Sequence, residues 1–104
     1  MTVAPNVYHT LTLDTEGFLQ NPDQWTEEVA GEIAAEHHIT LTDRHWKVVH
    51  FMRDRFLKTG TAPTIRSLGK ESGVDVKELY QLFPKGPAKL AAKIGGIPKP
   101  HGCI

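Results

Sequence analysis

"LTDRHWKVVHFMRDRFLKTG", residues 41–60, decides the fold. Thr42 stands where a helix N-cap belongs and Gly60 where a helix stops. Between them Trp46, Val49, Met52, Arg53, Phe56 and Leu57 recur at helical spacing, the stripe of an amphipathic helix that lays one face on a core. Such a stripe needs neighbours to cover it, and the flanking sequence supplies them. Upstream, Asn21 followed by Pro22 is a cap with proline at the first helical position. Glu27 and Glu28 suit a helix start, and Trp25, Val29 and Ile33 share a face, which predicts a helix over 22–37. Downstream, Thr64 caps a short helix through Glu71, Gly73 turns the chain, and Asp75 begins another helix that Pro84 must end. Pro87 then opens "PAKLAAKI", which Gly95 and Gly96 terminate.

The one strand signal is N-terminal. "YHTLTLD" (8–14) alternates, and "DTEG" (14–17) supplies turn residues before Phe18 and Leu19, so a short β-hairpin is expected. The fold class is therefore mainly α: a small helical domain with an N-terminal β-hairpin and five helices around Trp25, Val29, Trp46, Val49, Phe56, Leu79 and Phe83. With 104 residues, residues 1–104 are expected to form a single domain.

Composition narrows the class. Hydrophobic residues at 39% and charged residues at 23% exclude a disordered chain. No apolar run approaches the roughly 20 residues of a membrane span, and the N-terminus lacks the basic start and apolar stretch of a signal peptide, so the expected location is cytoplasmic. The net charge is zero but unevenly spread. Residues 1–59 carry nine acidic and five basic side chains, whereas residues 60–104 carry three acidic and seven basic ones. Arg66, Lys85, Lys89 and Lys93 of the basic part are candidates for meeting an acidic partner surface.

One cysteine, Cys103, stands next to the last residue. It has no second thiol to pair with inside the chain, so its redox chemistry requires another molecule. Pro98 and Pro100 favour extended geometry, and Gly95, Gly96 and Gly102 allow swivelling. A flexible C-terminal arm of about 97–104 is the expectation. Lys99 and His101 place positive charge near the thiol, which favours thiolate, while the terminal carboxylate opposes them.

Other chemistries find less support. His45 and His50 are five apart and miss the register of paired helical ligands, and His37 and His38 are adjacent and diverge, so no metal site is expected. "FPKGPAKL" (83–90) lacks the phosphate-loop pattern, and no cofactor is implied. "SLGKESGVDVKELYQLF" (67–83) has helix-turn-helix spacing, with Gly69, Gly73, Val74, Leu79 and Leu82 in the structural positions. It is similar to the DNA-reading segment of TetR-like repressors through Gly73, Val74, Leu79, Tyr80 and Phe83. A DNA-binding regulator is thus the alternative from another class. Its reading surface of Asp75, Lys77, Glu78 and Gln81 is mixed in charge, whereas phosphate contacts dominate DNA affinity.

The segments "DTEGFL", "QWTEEVA", "LTDRHWKVVHFMRDRF", "APTIRSL", "LYQLFPKGPAKLAAKI" and "GIPKPHGCI", in this order, resemble the TusE/DsrC family of small sulfur-relay proteins across nearly the whole chain. The resemblance implies that Cys103 carries persulfide sulfur on a mobile C-terminal arm, with Lys99, His101 and Gly102 around it. It also implies partners: a persulfide-donating sulfurtransferase of the TusBCD/DsrEFH or TusA kind and a downstream acceptor. Such a protein is a sulfurtransferase or persulfide carrier rather than a free-standing enzyme.

Two departures sort the branches. Dissimilatory members, which serve sulfite reductase, have a second cysteine where this chain has Ala92. The segment between "IRSL" and "LYQLFP" is here only "GKESGVDVKE" (69–78), shorter than is common in the family. With one cysteine the chain resembles the TusE-like branch, which relays sulfur towards tRNA 2-thiouridine, or related single-cysteine proteins of sulfur metabolism; a DsrC-like partner of sulfite reductase is the further alternative.

Overall fold

The computed structural model describes Tyr8 and residues 11–99. Its helices are α1 (Glu27–Glu36), α2 (Asp43–Thr59), α3 (Ile65–Glu71), α4 (Val76–Leu82) and α5 (Pro87–Ile94). Local side chains set their starts. The Thr26 hydroxyl accepts from the Val29 N–H (3.1 Å), Thr64 from Ser67 (3.1 Å), and the Asp75 carboxylate from Glu78 (2.9 Å). Each satisfies one of the backbone donors that a helix start leaves without a partner, a contribution of about 1 kcal/mol. α2 stops at Gly60, whose φ of 81° is the left-handed conformation glycine adopts without a Cβ penalty.

The helix expected over 22–37 is divided. Pro22–Gln24 forms a single 3-10 turn capped by the Asn21 side chain, the chain runs extended through Trp25 and Thr26, and α1 begins only at Glu27. The Thr26 hydroxyl supplies a second cap, and the extended step leaves the Trp25 indole pointing away from α1 towards the end of α5.

At the N-terminal end, the described residues form one antiparallel bridge, Leu13 with Leu19. It closes over a turn in which the Asp14 carboxylate accepts from the N–H groups of Glu16 (2.8 Å) and Phe18 (3.0 Å). Phe18 and Leu19 are both buried, which breaks the one-face alternation that a regular hairpin requires. His9 and Thr10 of the expected first strand lie outside the described residues.

The core is centred differently from the stripe read on α2. Helix α5 packs against α1, α2, α3 and α4, and buries Ala88, Leu90, Ala91, Ala92 and Ile94. Its alanines have no bulk to hold neighbours away, so four helices converge on it. On α2 the buried residues are His45, Val48, Val49 and Met52. Trp46 and Phe56 are half-buried at the rim, and Leu57 is 60% exposed. Of the expected core, Val29, Val49, Leu79 and Phe83 are fully buried, whereas Trp25, Trp46 and Phe56 pack against its edge.

His45 is a buried cap that also ties two helices together. Its Nδ1 accepts from the Thr42 N–H (3.1 Å) and lies 2.8 Å from the Thr42 hydroxyl. That role places the ring proton on Nε2, which donates to the Leu82 carbonyl (2.9 Å) at the end of α4. The ring also meets Phe83 edge-on at 5.1 Å. Replacing it strands a backbone carbonyl and removes a cap. The expected loss for His45→Ala is about 2–4 kcal/mol, read as a lowered midpoint in urea denaturation. His45→Gln keeps some of these bonds and should fall between the two.

Candidate functional site

Helix α5 ends in a fully bonded turn. The Gly96 N–H donates to the Lys93 carbonyl (3.1 Å) and the Ile97 N–H to Ala92 (3.1 Å), the paired bonds of a Schellman motif, with Gly96 at φ 67°. That turn leaves the carbonyls of Ile94 and Gly95 unpaired within the helix. Trp25 Nε1–H donates to Ile94 (2.8 Å), and Arg53 Nη1 donates to Gly95 (2.8 Å). Arg53 also reaches the Pro22 carbonyl (3.4 Å), and its guanidinium lies over the Trp25 ring at 4.2 Å from the centroid. A Cβ at Gly96 would stand 2.4 Å from Trp25 Cδ1, so the indole occupies the space that only glycine leaves.

Ile97 is completely buried, whereas Pro98 and Lys99 are exposed. Gly95 and Gly96, expected to swivel, are spent on closing the helix and admitting the indole. His101, Gly102 and Cys103 lie outside the described residues.

Three of the expected basic residues come together. Lys85 precedes α5, and Lys89 and Lys93 follow on one of its faces. With Glu16, Phe18, His37 and Leu90 they line a groove of about 210 Å³. It adjoins a second hollow of about 330 Å³ lined by Glu36, His37, His38, Ile39, Pro84, Lys85 and Leu90. Glu16 links this face to the start of the tail, since its carboxylate lies 3.5 Å from Lys89 Nζ and accepts from Lys99 Nζ at 3.2 Å. The Lys99 hydrogen bond, joined by Lys89, holds the Glu16 carboxyl below the usual carboxylate range. Burial, then the charges of Lys93 and Lys85, hold the His37 imidazole below its ordinary value against the opposing pull of Glu36. His38 turns the chain at φ 60°, a left-handed conformation that glycine would adopt at less cost. Arg66 is exposed on α3 and lines neither hollow.

Helices α3 and α4 are joined through Ser72, Gly73 and Val74, with Gly69 closed against Val76 and Leu79 buried. On the outside of α4, Glu78 is held by Arg44 through two parallel bonds (2.6 and 2.8 Å), so its charge is already partnered. Among the described residues no cluster of three or more His, Cys, Asp or Glu side chains could hold a metal ion. No helix there is long and apolar enough to cross a membrane.

A family model described as DsrC like protein matches residues 7–104, a span that takes in the Lys85–Lys93 face, the closed turn and the terminal cysteine. The chain belongs to the DsrC-like family. Among relatives of this DsrC-like chain is the sulfurtransferase TusE of Escherichia coli K12, 48% identical over 99 residues that cover 88% of this chain and 90% of that one. The oxidized gamma-subunit of the dissimilatory sulfite reductase (DsrC) from Archaeoglobus fulgidus superposes with a TM-score of 0.80. It is 43% identical, covering 90% of this chain and 92% of that one. The solution structure of Allochromatium vinosum DsrC gives the same TM-score of 0.80 at 37% identity, covering 90% of each chain. The mainly helical architecture is thus that of the DsrC-like family.

The sequence reading missed Trp25 and Arg53 as part of this site. Trp25 was assigned to the core and Arg53 to an apolar stripe. The available signal was an arginine standing within that stripe, a charge that needs polar partners if it is to face the interior.

Proposed function

We propose that this DsrC-like protein is a sulfur carrier: Cys103 accepts persulfide sulfur from a donor sulfurtransferase and passes it to a downstream acceptor in a sulfur relay. The observation that carries the reading is the family match through residue 104, which includes the terminal "PKPHGCI", together with relatives that bear the sulfurtransferase name. In the first step the Cys103 thiolate attacks the outer sulfur of the donor persulfide. The new S–S bond forms as the donor S–S bond breaks, the donor leaves as thiolate, and Cys103–S–SH remains. Attack by the acceptor's thiolate repeats the exchange and regenerates Cys103. The exchange conserves electrons and uses no cofactor.

A single cysteine favours carriage over an internal disulfide cycle, because the position that would supply a resolving thiol is Ala92, wholly buried in α5. This favours the TusE-like reading, directed to tRNA thiolation or related sulfur metabolism, over service to sulfite reductase. In the proposed complex Lys85, Lys89 and Lys93 meet an acidic face of the donor, Arg66 extends that contact from α3, and Lys99, His101 and Gly102 accompany the thiol.

Transfer from a persulfide-loaded donor should then slow as ionic strength rises. The Lys85→Glu, Lys89→Glu double variant should slow it about tenfold further at low salt. Stopped-flow mixing followed by mass spectrometry of the C-terminal peptide measures both. Salt-independent transfer with an unimpaired double variant would remove the electrostatic docking face.

A further inference from the structure

We infer that Arg53 and Trp25 are positioning residues: they lock the stem at Ile94–Ile97 and so set the point and direction from which the chain sets out at Pro98 towards Cys103. The inference rests on the carrier reading for its consequence, though its geometry stands apart from it. Two sequence-distant segments grip the same turn. The α5 end is closed by its own Schellman bonds, its two remaining carbonyls are taken by Trp25 and Arg53, and Ile97 is sunk in the core. No described buried side-chain nitrogen or oxygen lacks a partner. Among the described residues no carboxylate is hydrogen-bonded to Arg53. Its two bonds go to the carbonyls of Gly95 and Pro22, and its face lies on the indole.

The mechanical argument follows from reach. Cys103 lies six residues beyond Ile97, a segment that spans at most about 20 Å when extended. A tilt of about 30° at the stem would swing an extended tip by about 10 Å, a distance set by the same bond geometry. Thiol–persulfide exchange requires the sulfurs at near contact and in line. A fixed stem fixes where the chain towards Cys103 begins and so raises the effective concentration of the thiol at a docked donor.

The test compares Arg53→Met and Trp25→Phe with the unaltered protein, and Arg53→Lys as the conservative variant. All are assayed well below their melting temperatures, so that folded molecules are compared. Transfer from a persulfide-loaded donor should fall about tenfold in kcat/KM for Arg53→Met, with partial rescue in Arg53→Lys. Alkylation of Cys103 by iodoacetamide should proceed at the unaltered rate in every variant, since a small reagent does not need the direction. A purely structural role would leave transfer per folded molecule unchanged.

A second readout does not depend on relay activity. Nitroxide labels on Cys103 and on a Lys58→Cys site should give a broader distance distribution by pulsed electron resonance in Arg53→Met and in Trp25→Phe. An unchanged distribution would overturn the inference even if the variants transferred sulfur poorly. Broadening with no sulfur loading of the unaltered protein would uphold the stem and overturn the carrier reading. Should Arg53→Met and Trp25→Phe fail to fold, the labelled Arg53→Lys protein decides by the same comparison.

Discussion

Cys103→Ser protein, mixed with a persulfide-loaded donor sulfurtransferase, is expected to gain no sulfur, whereas the unaltered protein gains the mass of one sulfur atom on its C-terminal peptide and loses it to reductant. A serine hydroxyl has no accessible anion near neutral pH and forms no persulfide, so the loss is complete rather than partial. The variant should melt with the unaltered protein, because exchanging one sulfur for one oxygen at residue 103 leaves every residue of the described buried cluster, Tyr8 to Ile97, in place. Since the chain has one cysteine, oxidation should yield disulfide-linked dimers and no internal disulfide. Full relay activity in Cys103→Ser would end the carrier reading.

Phe83→Ala is expected to have the largest effect on the fold. Phe83 ends α4, is completely buried, and packs edge-on against the His45 ring that joins α4 to α2. Truncating a buried phenylalanine costs about 3–5 kcal/mol in transfer and cavity terms. Domains of this size hold about 5–15 kcal/mol in all, so the variant should lose a large part of its stability and show a far lower urea midpoint. A midpoint within the error of the unaltered protein would show that α4 is not a working part of the core. Phe83→Leu, which keeps most of the volume, should recover much of the loss.

Helix positions were legible because their causes are local. Thr26, Thr64 and Asp75 each bond a backbone N–H three residues on, and Gly60 and Gly96 adopt the left-handed conformation their own backbone permits. The exception, the break at Trp25, also has a local cap in Thr26, but Asn21–Pro22 offers an equally good start in sequence. The choice between them was made by the indole's partner on α5. The buried face of α2 is offset from its periodic stripe by part of a turn for a related reason. Periodicity reports which residues share a face, while the neighbour that covers the face decides which of them are buried. Here that neighbour is α5, whose small alanines let it take the centre.

The candidate site divides along the same line. Sequence by itself determined the single cysteine Cys103, the basic candidates Lys85, Lys89 and Lys93, and the family to which these belong. Only the tertiary structure decided how the turn that closes α5 is held, because Trp25 meets Ile94 across 69 positions and Arg53 meets Gly95 across 42. Local chemistry can cap a helix or turn a chain. Bringing an indole and a guanidinium to the last two carbonyls of α5 requires the packing of α1 and of α2 against α5, which no short window of sequence contains.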